Sequence, residues 1–343
     1  MTFCGLYFAR CAAGIARAAG GIGIDSVAVY TAPDALSLHV TAATEAVEIG
    51  DPAAADPVAA YLDVASLIDV ALSTGADCVH PGYGFVSENS HFAEQCAANG
   101  ITFIGPPASA LALFGDKVAA RALAIEVGVP VVPGSAAALT SAEDALSTIA
   151  AVPGLDYPVM LKASAGGGGR GMRVVEAEAD LAEAFETCSR EALAAFGDGS
   201  VFVEQFVARP RHIEVQILAD NAGNVVHLFE RDCSVQLRHQ KVLEIAPAPE
   251  LDPVLRAQLH ADAIKLAKAS NYSCAGTVEF LVQPDSGDYY FIECNPRIQV
   301  EHTVTEQVTG IDLVESQFKV RFSIDLHCFT TVLRRFATDL GPF

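Results

Sequence analysis

Tryptophan is absent from this 343-residue sequence, and basic residues are scarce, with 21 lysines and arginines against 42 aspartates and glutamates. The net charge of −21 argues against a nucleic-acid surface, because neutralising a phosphate backbone requires clustered lysine and arginine. No apolar run reaches the length of a membrane span, so we expect neither a nucleic-acid nor a membrane partner. Charged residues make up only 18% and apolar residues 51% of the chain, which predicts substantial buried cores.

Cysteine occurs nine times, but no two cysteines form a CxxC pair. This pattern favours reduced thiols in an intracellular protein over a disulfide framework or a zinc site. We therefore predict a cytoplasmic location. The mitochondrial matrix is the alternative, because residues 1–24 contain Arg10 and Arg17 but no acid, as a presequence would, although they also fit a first strand and helix.

Short apolar segments alternate with helical patterns between residues 26 and 105. This alternation predicts βαβ units and a parallel sheet. The predicted strands are 26–30, 77–82 and 101–106, and the predicted helices are 61–76, 87–100, 116–128 and one opened by a capping box of Thr140 and Glu143. Paired strands dominate from residue 158 onward. We therefore predict an α/β chain in which a doubly wound parallel-sheet domain precedes an α+β domain with mainly antiparallel sheets.

Polar and apolar side chains alternate between Ile292 and Glu301 within the segment FIECNPRIQVEH (291–302). In extended backbone, successive side chains point to opposite faces, so one face would carry only polar groups. Those groups are Glu293, Asn295, Arg297, Gln299 and Glu301. Such a face favours a binding site, although a solvated edge strand explains the spacing equally well. Pro296 predicts that the strand ends midway.

Two of the acidic residues are predicted to face each other across a hairpin. Residues 276–295 fit two strands joined by a turn, and a turn centred on Ser286 places Glu279 opposite Glu293. Opposed side chains lie ~5 Å apart, where like charges destabilise a sheet unless a cation lies between them. Carboxylate oxygens suit Mg²⁺ or Mn²⁺. A one-residue shift in register would instead place the two carboxylates on opposite faces.

Glycine and basic residues are concentrated in two further segments. LKASAGGGGRGM (161–172) places Lys162 at a strand end before a glycine run, without the GK[ST] ending of a P-loop. Glycine lets backbone amides approach phosphate, so we predict a flap over a phosphate chain, with a flexible hairpin tip as the alternative. ERDCSVQLRHQK (230–241) holds a cluster of basic residues, Arg231, Arg238, His239 and Lys241, which allows an anionic ligand, although such clusters more often cover a solvated surface.

Together these segments resemble the biotin carboxylase component of biotin-dependent carboxylases, a family with the ATP-grasp fold. The resemblance covers about Ile24 to Val320 and rests on motifs that keep their order and spacing. The motifs are HPGYGFVSEN (80–89), FGDK (114–117), KASAGGGGRGM (162–172), ERDCSVQLRHQKV (230–242), GTVEF (276–280) and FIECNPRIQVEHTVTE (291–306). The implied domains are a pre-ATP-grasp domain at 1–112, an ATP-grasp domain at 113–320 with a lid at about 135–205, and a divergent tail at 321–343.

The resemblance also implies a role for each matching residue. The catalytic residues would be Arg297, Glu301 and Lys241, with Glu301 as the general base for bicarbonate and Gln299 and Val300 as further bicarbonate contacts. The ATP contacts would be Lys117, Lys162, Gly168, Gly169, Glu204, Gln205, Phe206, Val207, His212, Gln236 and His239. The ligands of Mg²⁺ or Mn²⁺ would be Glu279, Glu293 and Asn295.

The implied activity is carboxylation of biotin on a carrier protein, which consumes ATP and bicarbonate through carboxyphosphate within a pyruvate or acyl-CoA carboxylase. The implied partners are the biotin carboxyl carrier protein and the carboxyltransferase subunit or domains, and the resemblance allows a homodimer. Two alternatives stay open. One is an impaired fragment that binds Mg-ATP, and the other is a ligase similar to carbamoyl-phosphate synthetase, against which residues 299–302 (QVEH) argue.

The sequence departs from the family at several points. The first turn reads YFARCA (7–12), without the family's acid and glycine, Ala165 replaces a flap glycine, and Leu237 stands where an arginine is usual. After Val320 the family's C-terminal subdomain, which covers the nucleotide and supplies an arginine for biotin, is not recognisable. We therefore expect Mg-ATP binding to persist and carboxylation of free biotin to be weak or absent.

Overall fold

The computed structural model describes residues 2–4, 9–164, 171–238 and 240–322. These residues form one parallel and two antiparallel β-sheets, against which the α-helices pack. The predicted order, an α/β region followed by an α+β region, is confirmed. None of the described helices combines the length and the apolar character that crossing a bilayer requires.

The first sheet is parallel throughout, with the strand order β3-β2-β1-β4-β5. Its strands are β1 (Thr2–Cys4), β2 (Ser26–Tyr30), β3 (Glu45–Glu48), β4 (Cys78–His80) and β5 (Thr102–Phe103). Its helices are α1 (Ala9–Gly21), α2 (Leu38–Ala42), α3 (Val64–Ser73) and α4 (Ser90–Ala98). The predicted βαβ alternation is confirmed. The first strand, whose turn departs from the family pattern, lies at the centre of the sheet, and residues 5–8 are outside the described residues.

Helices pack on both faces of this sheet. Cys78 shares a core with Ile15 of α1, whereas the next residue, Val79, shares a core with Leu67 of α3 and Phe92 of α4. Successive side chains of a strand point to opposite faces, so these two cores lie on opposite sides of β4. The sheet is therefore doubly wound, as the sequence predicted.

A buried histidine anchors the loop that follows β4. Nδ1 of His80 accepts a hydrogen bond from the N–H of Gly82 at 3.0 Å, and Nε2 lies 3.1 Å from Oε1 of Gln317, to which it donates. Gln317 belongs to α11 (Leu313–Arg321), so this contact joins the first sheet to a helix late in the chain. Burial lowers the pKa of His80 to about 4, and the imidazole is therefore neutral near pH 7.

Two helices, α5 (Ala108–Gly115) and α6 (Lys117–Glu126), connect the first sheet to the rest of the chain. Helix α6 begins after Asp116, whose carboxylate accepts hydrogen bonds from the N–H groups of Val118 and Ala119. Such a carboxylate satisfies donors that the first turn of a helix leaves unpaired. This helix confirms the one predicted at 116–128.

The capping box predicted from Thr140 and Glu143 is wrong by one residue. Helix α7 (Ala142–Ala151) begins after Ser141, whose hydroxyl accepts a hydrogen bond from the N–H of Asp144 at 3.1 Å. An isolated bridge ties Leu139 to the strand that follows later in the chain. Because the backbone is still extended there, it enters the helix after residue 141, and the cap pairs with residue 144.

The smaller antiparallel sheet has the strand order β7-β6-β8. Its strands are β6 (Val159–Ala163), β7 (Met172–Val175) and β8 (Val201–Gln205). Helices α7 and α8 (Leu181–Phe196) pack against it around a core that includes Leu161, Phe185 and Val203. The strands confirm the prediction, whereas α8 was not predicted.

The larger antiparallel sheet has the strand order β11-β10-β9-β12-β13. Its strands are β9 (Arg211–Ala219), β10 (Val225–Leu237), β11 (Gln240–Ile245), β12 (Cys274–Val282) and β13 (Tyr289–Asn295). Helix α9 (Pro253–Ala269) covers one face through Leu259 and Leu266, and Phe318 of α11 packs into the core on the other. Helix α10 (His302–Thr309) follows β13. The antiparallel pairing confirms the prediction, but β11 and α9 were not among the predicted elements.

Candidate active site

The hairpin of β12 and β13 forms the centre of the site. Its register pairs Glu279 directly with Glu293, as the sequence predicted. Strand β13 ends at Asn295, immediately before Pro296, which confirms the predicted end of the strand. The two carboxylates are therefore direct neighbours across the hairpin, and Asn295, the third predicted metal ligand, lies two residues after Glu293 on β13.

Both carboxylate oxygens of Glu279 accept hydrogen bonds, and its side chain is only 3% exposed. Oε1 accepts from Nζ of Lys241 at 2.8 Å, from Nδ2 of Asn295 at 2.8 Å and from Nε2 of Gln299 at 3.0 Å. Oε2 lies 2.6 Å from Nε2 of His212. Four predicted site residues thus contact a fifth, Glu279.

Lys241 on β11 lies among three carboxylates. Its Nζ donates to Glu214, to Oε1 of Glu279 and, at 2.7 Å, to Oε1 of Glu301. The lysine and the carboxylate predicted to be catalytic are therefore in direct contact. The same ammonium group also contacts a carboxylate predicted to bind metal.

Charge outweighs burial in setting the protonation of this cluster. Burial alone would lower the pKa of Lys241, but Glu279, Glu214 and Glu301 raise it above its ordinary value. Burial alone would raise the pKa of Glu279, but the hydrogen bond from His212 and the charge of Lys241 lower it. Lys241 likewise outweighs burial at Glu301 and lowers its pKa. Near neutral pH, the lysine is protonated and both carboxylates are ionised.

Glu293 is shifted in the opposite direction. Although residue 293 is exposed, desolvation of its carboxylate and the charge of Glu279 together raise its pKa, against the charge of Lys117. The part of this shift that Glu279 causes marks a local surplus of negative charge between the two carboxylates. Divalent cations with oxygen ligands neutralise such a surplus, so Glu279, Glu293 and Asn295 fit Mg²⁺ or Mn²⁺.

Arg231 is fully buried, although the sequence placed it within a basic cluster suited to an anion. A guanidinium carries five N–H donors. They reach five acceptors, Oε1 of Glu214 (2.5 Å), Oε1 of Gln216 (2.9 Å), Oγ1 of Thr305 (2.7 Å), Oε1 of Gln299 (3.0 Å) and Oγ1 of Thr277 (3.4 Å). This arginine is therefore part of the framework of the site, and neither it nor Glu214 was predicted to be a site residue.

The polar face predicted for residues 293–301 is only partly a strand. After Asn295 the chain leaves the sheet, and Gln299 and Glu301 reach the cluster through a turn. Gln299 is 4% exposed and Glu301 is 8% exposed, and Glu301 is the residue from which α10 begins. Val300 between them is 60% exposed. The alternation therefore named residues that lie close together, while strand geometry explains only the first two positions.

Arg297 lies where the first region meets the larger sheet. Its Nε donates to Oε1 of Glu88 at 2.5 Å, Nη2 donates to Oδ1 of Asn295 at 3.1 Å, and Nη1 donates to the carbonyl of Ile298 at 3.2 Å. Glu88 belongs to the HPGYGFVSEN segment. This arginine, predicted to be catalytic, is thus held by groups from both regions.

The lysines predicted to contact ATP lie near a shared carboxylate. Lys162 on β6 pairs with Glu204 on β8, and Nη1 of Arg121 lies 3.9 Å from the same carboxylate. Burial lowers the pKa of Lys117 at the start of α6, an effect that Glu293 opposes and Lys162 reinforces. The predicted nucleotide and metal residues are therefore electrostatic neighbours.

The end of β8 is fixed by backbone contacts. The side chain of Gln205 accepts a hydrogen bond from the N–H of Asp156 at 2.8 Å and donates to the carbonyl of Pro158 at 3.2 Å. The N–H of Phe206 donates to the same carbonyl at 3.3 Å, and Val207 is buried. Hydrogen bonds and burial thus hold these predicted ATP contacts in place at the end of the strand.

His212 on β9 is oriented by Gln236 on β10, whose Nε2 donates to Nδ1 at 2.8 Å. A donor at Nδ1 leaves the proton on Nε2, which faces Glu279. Ligand atoms of His212, Glu214 and Glu279 lie within 4.8 Å of one another, a spacing that suits a metal ion. Of the remaining predicted contacts, Gly168, Gly169 and His239 lie outside the described residues.

A parallel sheet followed by two antiparallel sheets around this cleft agrees with the comparisons to known families. Residues 9–111 match the biotin carboxylase N-terminal domain, and residues 116–328 match the ATP-binding domain of the carbamoyl-phosphate synthase L chain. The chain belongs to the biotin carboxylase family, in which the first of these domains precedes an ATP-grasp domain.

Several pyruvate carboxylases are close in sequence. The chain is 52% identical over 304 residues to pyruvate carboxylase of Schizosaccharomyces pombe and to the mitochondrial pyruvate carboxylase of Homo sapiens. It is 50% identical over 313 residues to the enzyme of Bacillus subtilis. These alignments cover 89%, 89% and 91% of this chain but 25%, 25% and 27% of the relatives. The chain thus spans about a quarter of their length.

Solved structures agree with this assignment. Biotin carboxylase of Campylobacter jejuni, described as a β,γ-ATP complex, matches with a TM-score of 0.89 and 45% identity over 95% of this chain and 71% of that one. The biotin carboxylase domain dimer of the Hydrogenobacter thermophilus 2-oxoglutarate carboxylase, described with MgADP, ADP and bicarbonate, matches with a TM-score of 0.89 and 43% identity over 95% of this chain and 70% of that one.

Proposed function

We propose that this chain acts as a biotin carboxylase, which uses ATP and bicarbonate to carboxylate biotin on a carrier protein. The observation that carries the proposal is the position of Lys241. Its ammonium group joins Glu279, the carboxylate proposed for the metal, to Glu301, the carboxylate proposed as the base. A site for Mg-nucleotide therefore lies directly beside a site for a second anion, as a reaction between two bound substrates requires.

The nucleotide would bind between the smaller and the larger antiparallel sheets. Lys162 and Lys117 supply positive charge for its phosphates, and residues 204–207 offer an ordered edge for the adenine. The ion pair between Lys162 and Glu204 supports this role, because it holds the ammonium group in a place where a phosphate would compete for it. The nucleotide complexes described for the C. jejuni and H. thermophilus relatives support nucleotide binding by this chain.

Glu279, Glu293 and Asn295 would hold Mg²⁺ or Mn²⁺. When bound, the cation neutralises phosphate charge together with the repulsion between the two carboxylates. Lys241 and His212 keep Glu279 ionised and fix its orientation. The raised pKa of Glu293 supports the assignment, because part of the shift comes from the charge of Glu279, which a bound cation would offset.

Bicarbonate would lie against Arg297, Gln299 and Val300, and Glu301 would accept its proton. Glu301 is ionised, as a base must be, but its lowered pKa makes it a weak base while Lys241 is bound to it. A second anion near Lys241 gives the ammonium group another partner. The pKa of Glu301 then rises, so the base becomes stronger when the substrate is present.

The wider assembly is proposed from the relatives. Their names favour pyruvate as the final acceptor, with an acyl-CoA as the alternative, and they imply a biotin carrier and a carboxyltransferase as partners. The H. thermophilus domain is described as a dimer, which supports a homodimer here. We propose a cytoplasmic location, with the mitochondrial matrix as the alternative because the human relative is named as mitochondrial.

Phosphate release from ATP in CO₂-free buffer with millimolar Mg²⁺ tests the proposal, with bicarbonate then added back and a biotinylated carrier present or absent. We expect bicarbonate to stimulate release and the carrier to become carboxylated. If the protein binds ATP but bicarbonate does not change the rate of phosphate release, carboxylase activity is contradicted. That outcome would instead support the alternative of an impaired Mg-ATP-binding fragment.

A further inference from the structure

Arg231 connects four parts of the fold behind the proposed bicarbonate site. Its acceptors lie on β9 (Glu214 and Gln216), on β12 (Thr277), in the turn after β13 (Gln299) and on α10 (Thr305). The guanidinium is fully buried, so it contacts neither solvent nor the open cleft. All five of its donors are used within the protein. Its contribution to the site is therefore made through its partners.

Two of these partners bracket Glu301 in the sequence. Gln299 lies two residues before it, and Thr305 lies four residues after it. Residues four apart lie on the same side of a helix, so Thr305 lies one turn along α10 from the proposed base. Because one guanidinium binds both neighbours, it fixes the backbone on each side of the carboxylate.

A third path reaches Glu301 through charge. Oε1 of Glu214 accepts from Arg231, and Oε2 of the same carboxylate accepts from Lys241. Lys241 in turn donates to Glu301 at 2.7 Å. Arg231 therefore fixes Glu214, Glu214 fixes Lys241, and Lys241 fixes Glu301, the proposed base.

We propose that Arg231 is a positioning residue for the bicarbonate half of the site, which sets Glu301 against Lys241 through Gln299, Thr305 and Glu214. This inference rests on the proposed function, since it assigns the geometry of that same base. Lysine would not replace the arginine, because its three donors lack the planar arrangement that serves five acceptors at once.

The neutral partners distinguish this role from simple charge compensation. A buried arginine that only balanced Glu214 would need one carboxylate, and an apolar substitute for such a pair is often tolerated. Here four of the five acceptors are uncharged side chains, and two of those four belong to the segment that carries Glu301. The arrangement therefore fixes position as well as charge.

Thr305→Val and Thr277→Val form a matched pair for the test. Both threonines are buried and each accepts one hydrogen bond from Arg231, but only Thr305 lies on the segment that carries Glu301. For Thr305→Val we expect the KM for bicarbonate in ATP hydrolysis to rise about tenfold, with the KM for ATP within about twofold of wild type. Thr277→Val should leave both constants near their wild-type values, and Arg231→Lys should resemble Thr305→Val.

A second readout needs no turnover. The carboxyl carbon of Glu301 is titrated by NMR in protein labelled with ¹³C-glutamate, with Glu301→Gln used to assign its signal. Loss of its fixed distance to Lys241 should raise the pKa of Glu301 in Thr305→Val and leave it unchanged in Thr277→Val. The charged and titratable groups around Glu301 stay the same in both variants, namely Lys241, Arg231, Glu214, Glu244, Cys233 and Tyr83.

The two readouts separate the two claims. Equal titration of Glu301 in both threonine variants and in wild type would overturn the positioning role, whatever the enzyme does with bicarbonate. Wild-type hydrolysis without bicarbonate dependence would contradict the proposed function, and the NMR comparison would still decide whether Arg231 positions Glu301.

Discussion

Glu279 and Glu293 occupy directly opposed positions on β12 and β13, yet their pKa values are shifted in opposite directions. The difference arises because His212 and Lys241 donate to Glu279 and hold it ionised. Desolvation, together with the charge of Glu279 across the sheet, raises the pKa of Glu293. Glu279 is therefore stabilised as a carboxylate by its own donors, whereas a bound cation would stabilise the ionised form of Glu293.

Replacing Glu293 with glutamine should stabilise the ligand-free protein while weakening its binding of Mg-nucleotide. The substitution removes repulsion between opposed like charges, which costs a few tenths to about 1 kcal/mol. It also removes an oxygen ligand, so the affinity for ATP in Mg²⁺ should fall about tenfold or more. Urea unfolding and calorimetric titration measure the two effects, and Glu143→Gln on the exposed surface of α7 is the control. A stabilised variant with wild-type affinity would exclude Glu293 as a metal ligand.

Replacing Glu301 with glutamine should abolish bicarbonate-dependent ATP hydrolysis and leave nucleotide binding near normal. The amide cannot accept the proton of bicarbonate, whereas the contacts proposed for ATP do not involve residue 301. Glu244→Gln removes a neighbouring carboxylate with no proposed role and serves as the control. Equal loss of nucleotide binding and turnover would argue that Glu301 maintains the site rather than acting as its base.

Replacing Lys162 with methionine should lower the affinity for ATP about tenfold, because a charge-assisted contact with phosphate is lost. The same change leaves Glu204 without its closest cation, and this adds repulsion towards the nucleotide. Lys265→Met, which removes the half-exposed partner of Asp262 on α9, is the control for loss of one positive charge elsewhere in the protein. Calorimetry that returns the same dissociation constant for both variants would remove Lys162 from the nucleotide site.

Stability should fall between pH 6.5 and pH 4, in part through His80. Burial lowers the pKa of His80 from 6.5 to about 4, so in this range the unfolded chain binds a proton that the folded protein excludes. The difference corresponds to about 3 kcal/mol, which is present in full above pH 6.5 and lost as the pH falls to 4. His80→Gln should flatten the dependence of the unfolding free energy on pH, and His91→Gln, at an exposed position, should not. An unchanged slope in His80→Gln would exclude this role.

Local patterns predicted the arrangement of side chains where neighbours in sequence are also neighbours in space. The hairpin turn sets the register of β12 and β13, so the spacing around Ser286 was enough to oppose Glu279 and Glu293. Pro296 likewise marked the end of β13. The resemblance to the biotin carboxylase family then supplied residues that no spacing would have joined, such as Lys162 and His212.

The sequence did not show which polar side chains are buried or which distant strands pair. Arg231 looked like one member of a basic cluster, but the pairing of β10 with β9 places it opposite Glu214 and inside the core. The N-cap of α7 is Ser141 and not Thr140, because Leu139 is still held in a bridge to a distant strand. Alternation reports which face a side chain lies on, whereas partners on other strands decide whether that face is open or buried.

Titration of ATP into the protein by calorimetry, with millimolar Mg²⁺ and then with EDTA, tests the central claim most directly. We predict one saturable site in Mg²⁺, a large loss of affinity in EDTA, and the same loss in Mg²⁺ when Glu279 is replaced by glutamine. No binding in Mg²⁺, or equal binding in Mg²⁺ and EDTA by the wild type and Glu279→Gln, would contradict a Mg-nucleotide site built on Glu279 and Glu293.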